Sequence, residues 1–156
     1  MPEIDIGIDA QARKKVAAAL EQVLTDTYAL YSKTHGYHWN VEGPRFAQLH
    51  LLFETQYNEL WTSLDLMAER IRSLGHYAPS SESIAGKTSI KADNGVPSED
   101  QMIANLAVGN QAVVKSARAA LKTAEEAGDQ ATADLMTQRV IAGEKAAWML
   151  RAHQPK

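Results

Sequence analysis

Thirty consecutive residues, Arg45 to Leu74, contain no glycine or proline, and they lie between Gly43-Pro44 and Gly75. The run reads as one long helix. His50, Glu54, Asp65 and Glu69 fall along it, and at 100° per residue the last three lie about 40°, 60° and 100° around from His50. All four therefore project from one face. Along the axis the His50/Glu54 and Asp65/Glu69 pairs are centred roughly 22 Å apart, while metal–ligand bonds measure about 2.0–2.3 Å. No single ion spans that distance within one chain, so the helix carries two half-sites. An antiparallel copy from a two-fold-related subunit, crossing near Leu60, would set each His50/Glu54 beside the partner's acidic pair.

Taken singly, these residues mean little. With 19 acidic residues in 156, carboxylates four positions apart arise about twice by chance and usually sit on a solvated face. The combination carries the signal: four groups in phase, among Leu49, Leu52, Phe53, Leu64 and Met67, with a further histidine, His38, on the preceding segment. Without a cation the Asp65/Glu69 repulsion costs the helix roughly 0.2–0.5 kcal/mol. Imidazole and carboxylate without thiolate fit iron, manganese or zinc. The chain has no cysteine, which excludes disulfides and Cys-based metal sites.

The stretch from Thr34 to Gly75 contains His38-Trp39-Asn40, Gly43-Pro44, Phe46, Leu49-His50, Phe53-Glu54, Tyr57, Asp65, Ala68-Glu69-Arg70-Ile71 and Leu74-Gly75. It strongly resembles the Dps family, the DNA-binding proteins from starved cells, which are miniature ferritins. The resemblance implies an all-α, ferritin-like four-helix bundle assembling into a hollow homo-dodecamer. It further implies oxidation of Fe(II), with peroxide as favoured oxidant, and storage of ferric mineral, Zn or Mn being able to substitute for Fe2+/Fe3+. By the same resemblance His38, His50 and Glu54 of one subunit, with Asp65 and Glu69 of its dyad mate, form the ferroxidase centre. Trp39 matches a tryptophan proposed in that family as a sink for oxidising equivalents; an aromatic core residue is the other reading. His35 has no counterpart carried over and is read as a polar neighbour. The Glu-x-x-His motif of ferritins that build the site within one chain occurs nowhere.

The remaining sequence fits a single domain over residues 1–156, with 1–8 as a mobile leader. A first helix is expected after Asp9 to about His38, with Val16, Leu20, Val23, Leu24, Leu30 and Tyr31 on its apolar face. Residues 75–97 turn to Ser, Gly, Pro, Asn and Lys, which reads as the long crossover between the second and third major helices, with a short extra helix around Ser81 to Ala85. Ser98 opens a third helix through a capping-box-like Ser-Glu-Asp-Gln run, and Gly128 stops it. Asp129 caps a fourth, with Leu135, Ile141, Trp148 and Met149 among its expected buried positions. Glu125, Glu126, Asp129 and Asp134 form a local acidic cluster, and the Gly128-Asp129 and Thr132-Ala133-Asp134 pattern resembles the family segment lining negatively charged three-fold pores. That nominates Asp129 and Asp134 for a cation-access path, against a plain cap and solvated surface.

DNA binding is expected to be weak or absent, because duplex affinity comes mainly from Lys and Arg neutralising phosphates. The net charge is −3, and the leader holds Glu3 and Asp5 but no Lys or Arg. Two functions remain: a ferroxidase and iron-storage shell that limits oxidative damage, or a nucleoid-associated DNA-binding shell with secondary iron chemistry. The complete ligand ladder favours the first. No stretch qualifies as membrane-spanning or as a signal peptide, so the expected location is the cytoplasm, with nucleoid association under the second reading.

Overall fold

The computed structural model describes residues 2–84 and 86–154. Five helices follow in order: α1 (Ala10–Asn40), α2 (Phe46–Ser73), the single turn α3 (Ser81–Ile84), α4 (Glu99–Glu126) and α5 (Gln130–Arg151). Among the described residues there is no strand. The expected short helix stops at Ile84, and Ala85 lies outside the described residues.

Local chemistry sets the boundaries. The Asp9 carboxylate accepts from the amides of Gln11 and Ala12, at 2.9 and 3.0 Å, satisfying donors that the first turn of α1 leaves free. Gly75 and Gly128 take left-handed backbone, φ 91° and 68°. In each case the glycine N–H and the next N–H bond back across the helix end: Gly75 to Arg72 and His76 to Ile71, Gly128 to Glu125 and Asp129 to Ala124. Both are Schellman closures, which a side chain at φ > 0 would strain. The Ser98 box closes on one side only. Its hydroxyl accepts from the Gln101 amide at 3.3 Å, but the Gln101 side chain bonds Asn105 at 2.8 Å instead of returning to the cap.

Contacts between helices establish the topology. Tyr37 meets Asn105 and Asp26 meets Ser116, so α1 and α4 run antiparallel. Glu59 meets Arg139 and Arg70 meets Asp129, so α2 and α5 do too. Short turns join α1 to α2 and α4 to α5, which leaves the crossover to carry the chain back along the bundle. Extended at roughly 3.3 Å per residue it reaches beyond the about 42 Å of a 28-residue helix. It is held to α1 and α4: Thr88 donates to Asp26 at 2.7 Å, and the Asp93 carboxylate gathers Tyr37 at 2.6 Å, Lys33 at 2.9 Å and Asn105 at 3.3 Å.

Two apolar clusters fill the bundle, one around Leu20, Met67, Ile71 and Met136, the other around Leu30, Leu49, Phe53 and Leu106. Burying each such side chain contributes about 1.5–3 kcal/mol. The expected face of α1 is buried, Tyr31 only partly, and on α2 Leu49, Leu52, Phe53, Leu64 and Met67 are buried. For α5 the expectation fails. Ile141 and Trp148 are exposed, Leu135 and Met149 only partly covered, and the inner face is Ala133, Met136, Val140, Gly143, Ala147 and Leu150. Close packing on α4 accounts for this: a methyl added at Gly143 would run into Val114, so the contact selects small residues over the bulkiest ones.

Candidate metal centre

The turn at residues 41–45 folds the end of α1 against the start of α2, and this brings His38 to the second turn of α2. Arg45 braces the turn. Its guanidinium donates to Glu99 at 2.8 Å, to Asp100, and to the His153 carbonyl at 2.7 Å, fixing this end of the bundle to the start of α4 and the end of α5.

Ligand atoms of His38, His50 and Glu54 all lie within 4.8 Å of one another. The imidazoles stack with centroids 3.8 Å apart and planes 15° from parallel. Each ring is oriented by the other residue's backbone: His38 Nδ1 lies 2.8 Å from the His50 carbonyl, and His50 Nδ1 lies 2.7 Å from the His38 carbonyl. A carbonyl oxygen only accepts, so both Nδ1 atoms carry a proton, and Nε2 is the ring atom of each left to face a metal ion. Metal-ligating histidines are held by an outer bond of this kind. Glu54, one turn beyond His50 and partly buried, adds a hard oxygen. The donor set fits iron, with zinc or manganese as substitutes. His38 is 8 % exposed, so the cluster is walled on the protein side, and three ligands leave coordination positions open.

Asp65 and Glu69 are exposed further along α2 and are not part of this cluster. Asp65 instead opens on a groove of about 520 Å³ with Tyr28, Leu24, Trp61 and Leu66. Within one chain the ladder is two separate groups of side chains.

Trp39 is 65 % exposed, which overturns its reading as a core aromatic. It lies on His35, with centroids 4.1 Å apart, and His35 stacks on Tyr57 at 4.0 Å. His35 is thus more than a polar neighbour. Its Nδ1 is 2.9 Å from the Tyr31 hydroxyl. Burial, with His38 adding to it, lowers the His35 pKa, while burial and then Tyr28 and Tyr57 raise that of Tyr31. Both shifts favour a phenol donating to a neutral imidazole. The spacing Tyr31, His35, Trp39 on α1 and Tyr57, Trp61 on α2 was the available sequence signal, since residues four apart share a helix face.

Of the nominated pore residues, Asp134 is exposed. Asp129 is 1 % exposed; it accepts from the Thr132 amide at 3.0 Å, the Thr132 hydroxyl at 2.6 Å and Arg70 at 2.8 Å. Burial opposes its ionisation, but the Thr132 and Arg70 interactions prevail and hold the carboxyl below the usual range. These contacts make Asp129 the N-cap of α5.

The family model of the ferritin-like domain matches residues 17–156. A DNA protection during starvation protein of Brevibacillus brevis is 36 % identical over 88 % of this chain and 93 % of its own length. Among solved structures, the Dps protein of Vibrio cholerae O1, described as one of a broad superfamily of ferritin-like diiron-carboxylate proteins, is 33 % identical. It covers 97 % of this chain and 96 % of its own, with a TM-score of 0.90. DpsC from Streptomyces coelicolor, 27 % identical, superimposes over 97 % of this chain and 90 % of its own with a TM-score of 0.93. With the helix order, the paired histidines and the carboxylate ladder already described, these matches place the chain in the Dps family of ferritin-like proteins.

Proposed function

We propose that this chain is the subunit of a cytoplasmic ferroxidase and iron-storage shell, a homo-dodecamer that oxidises Fe(II), preferably with hydrogen peroxide, and stores ferric mineral. Fe(II) is the substrate. His38, His50 and Glu54 would bind it from one subunit, and Asp65 and Glu69 would complete the site from the two-fold-related subunit. The observation that carries this reading is the reciprocal bonding of His38 and His50, which leaves both Nε2 atoms free beside Glu54, with no fourth histidine or carboxylate in the cluster among the described residues. Two carboxylates from a second subunit suit an ion passing from Fe(II) to Fe(III), because added negative charge favours the more highly charged product. Exposed Asp134 is the proposed cation-access residue; Asp129, buried as the cap of α5 and paired with Arg70, is not part of that path. Among the described residues no helix is long and apolar enough to cross a membrane.

DNA association is proposed to be secondary. Lys14 and Lys15 are exposed, but a net charge of −3 leaves little to offset phosphate repulsion. An anaerobic Fe(II) titration followed by peroxide tests the main reading. Expected is saturable Fe(II) binding that His38→Ala/His50→Ala abolishes, then oxidation of two Fe(II) per peroxide, the electron balance for reducing peroxide to water. Unchanged binding in that variant would refute the site.

A further inference from the structure

Helix α5 lies close on α4 because Gly143 faces Val114, where a Cβ would stand 2.6 Å from Val114 Cγ2. Leaning on α4 draws α5 away from α2, and the residues that α5 turns toward α2 do not fill the difference, since they include Ala142, Gly143 and Ala146. A slot between α2 and α5 results, a cavity of about 340 Å³. Leu52 and Leu60 of α2, Val113 of α4 and Met149 of α5 give it apolar walls, the first three buried. Glu59 of α2 and Arg139 of α5 span one end, two guanidinium nitrogens donating to the one carboxylate, so the charges there are spent on each other. The remaining charged side chain of the lining, Lys145, is exposed to solvent.

Gln56 breaks the apolar pattern. It lines the slot and is 8 % exposed. Its amide nitrogen donates to the Ala146 carbonyl at 3.4 Å, and because a carbonyl only accepts, this contact fixes which way the amide faces. The Gln56 Oε1 is left buried without a hydrogen-bond partner. Nearly all buried polar atoms in native proteins are paired, so a buried acceptor beside an open, mostly apolar cavity marks the place of a donor that the chain itself does not supply. Water answers this poorly, as a buried water holds its place through two to four polar partners.

We propose that the slot binds a small, uncharged, planar aromatic molecule carrying one N–H or O–H group, which donates to Gln56 Oε1 while the ring lies between α2 and α5. The volume is at the small end of the roughly 300–1,000 Å³ range of small-molecule sites, which suits one or two fused rings. The mutual neutralisation of Glu59 and Arg139 disfavours a charged ligand. The Met149 thioether gains from contact with a ring. The site is separate from the metal centre: Gln56 lies about 200° around α2 from Glu54, so the slot opens on the other side of that helix and does not depend on the ferroxidase reading.

The test is isothermal titration calorimetry on the assembled full-length protein, with indole as probe and 1-methylindole as the same ring without its N–H. Indole is expected to bind saturably, one per subunit, and about tenfold more tightly than 1-methylindole, the order of one buried hydrogen bond. Gln56→Met keeps the length of the side chain and removes the acceptor; it should erase the preference for indole while both rings still bind. Ala146→Leu fills the slot and should abolish binding of both, with assembly checked by light scattering. If Ala146→Leu does not assemble, Gln56→Met alone carries the test. Absence of saturable indole binding to wild type, equal affinity for the two probes, or a preference that survives Gln56→Met would overturn the assignment.

Discussion

Replacing Asp129 separates its two roles, capping α5 and pairing with Arg70. In Asp129→Asn the side-chain oxygen still reaches the Thr132 amide, as asparagine caps about as well as aspartate, but the charge is lost. Breaking a buried ion pair costs about 3–5 kcal/mol and an exposed one about 0–1. Asp129 is 1 % and Arg70 20 % exposed, so the loss falls between, at about 2 kcal/mol. Asp129→Ala also removes the cap, about 1 kcal/mol more, for a total near 3 kcal/mol. The assay is urea unfolding at fixed protein concentration, since assembly couples to stability. The pH dependence has a definite sign. The Asp129 carboxyl is held below its usual range in the folded chain, so its contribution is complete above the unfolded pKa of about 3.9 and disappears as pH falls through the lower folded value. The gap between wild type and Asp129→Asn should therefore be widest near neutrality and close on acidification. An Asp129→Ala variant within about 0.5 kcal/mol of wild type at neutral pH, or a gap that widens in acid, would refute the reasoning.

Light scattering should find a closed assembly near twelve times the 17.1 kDa chain mass; a stable monomer would remove the case for a shared site. Mobility shift with linear duplex at neutral pH and physiological salt should be weak and vanish on a modest salt increase, and tight, salt-resistant binding would contradict the charge argument.

Sequence and structure agree where a local rule acts alone. Gly75 and Gly128 mark helix ends because only a residue free at positive φ closes those turns, and the ladder is legible because an uninterrupted helix preserves angular phase over its length. The inner face of α5 was misread because the close approach of α4 favours Gly143 and Ala147, and nothing within α5 announces that neighbour. The mutual bonding of His38 and His50 depends on how two helices converge across a turn. Individual spacings do not encode it. The place of His35 among Tyr31, Trp39 and Tyr57 was missed for the same reason, although the four-residue intervals on each helix hinted at a shared face.

The shared centre is tested most directly by combining two inactive variants, His38→Ala/His50→Ala and Asp65→Ala/Glu69→Ala. Each should assemble and lack rapid peroxide-driven Fe(II) oxidation. After dissociation, mixing and reassembly, about half of the two-fold interfaces pair unlike subunits, and each of these holds one centre with both ligand sets intact. Roughly a quarter of all centres, and of the wild-type rate, should return. Hybrids verified by differential tagging that remain as inactive as the separate variants would contradict the account.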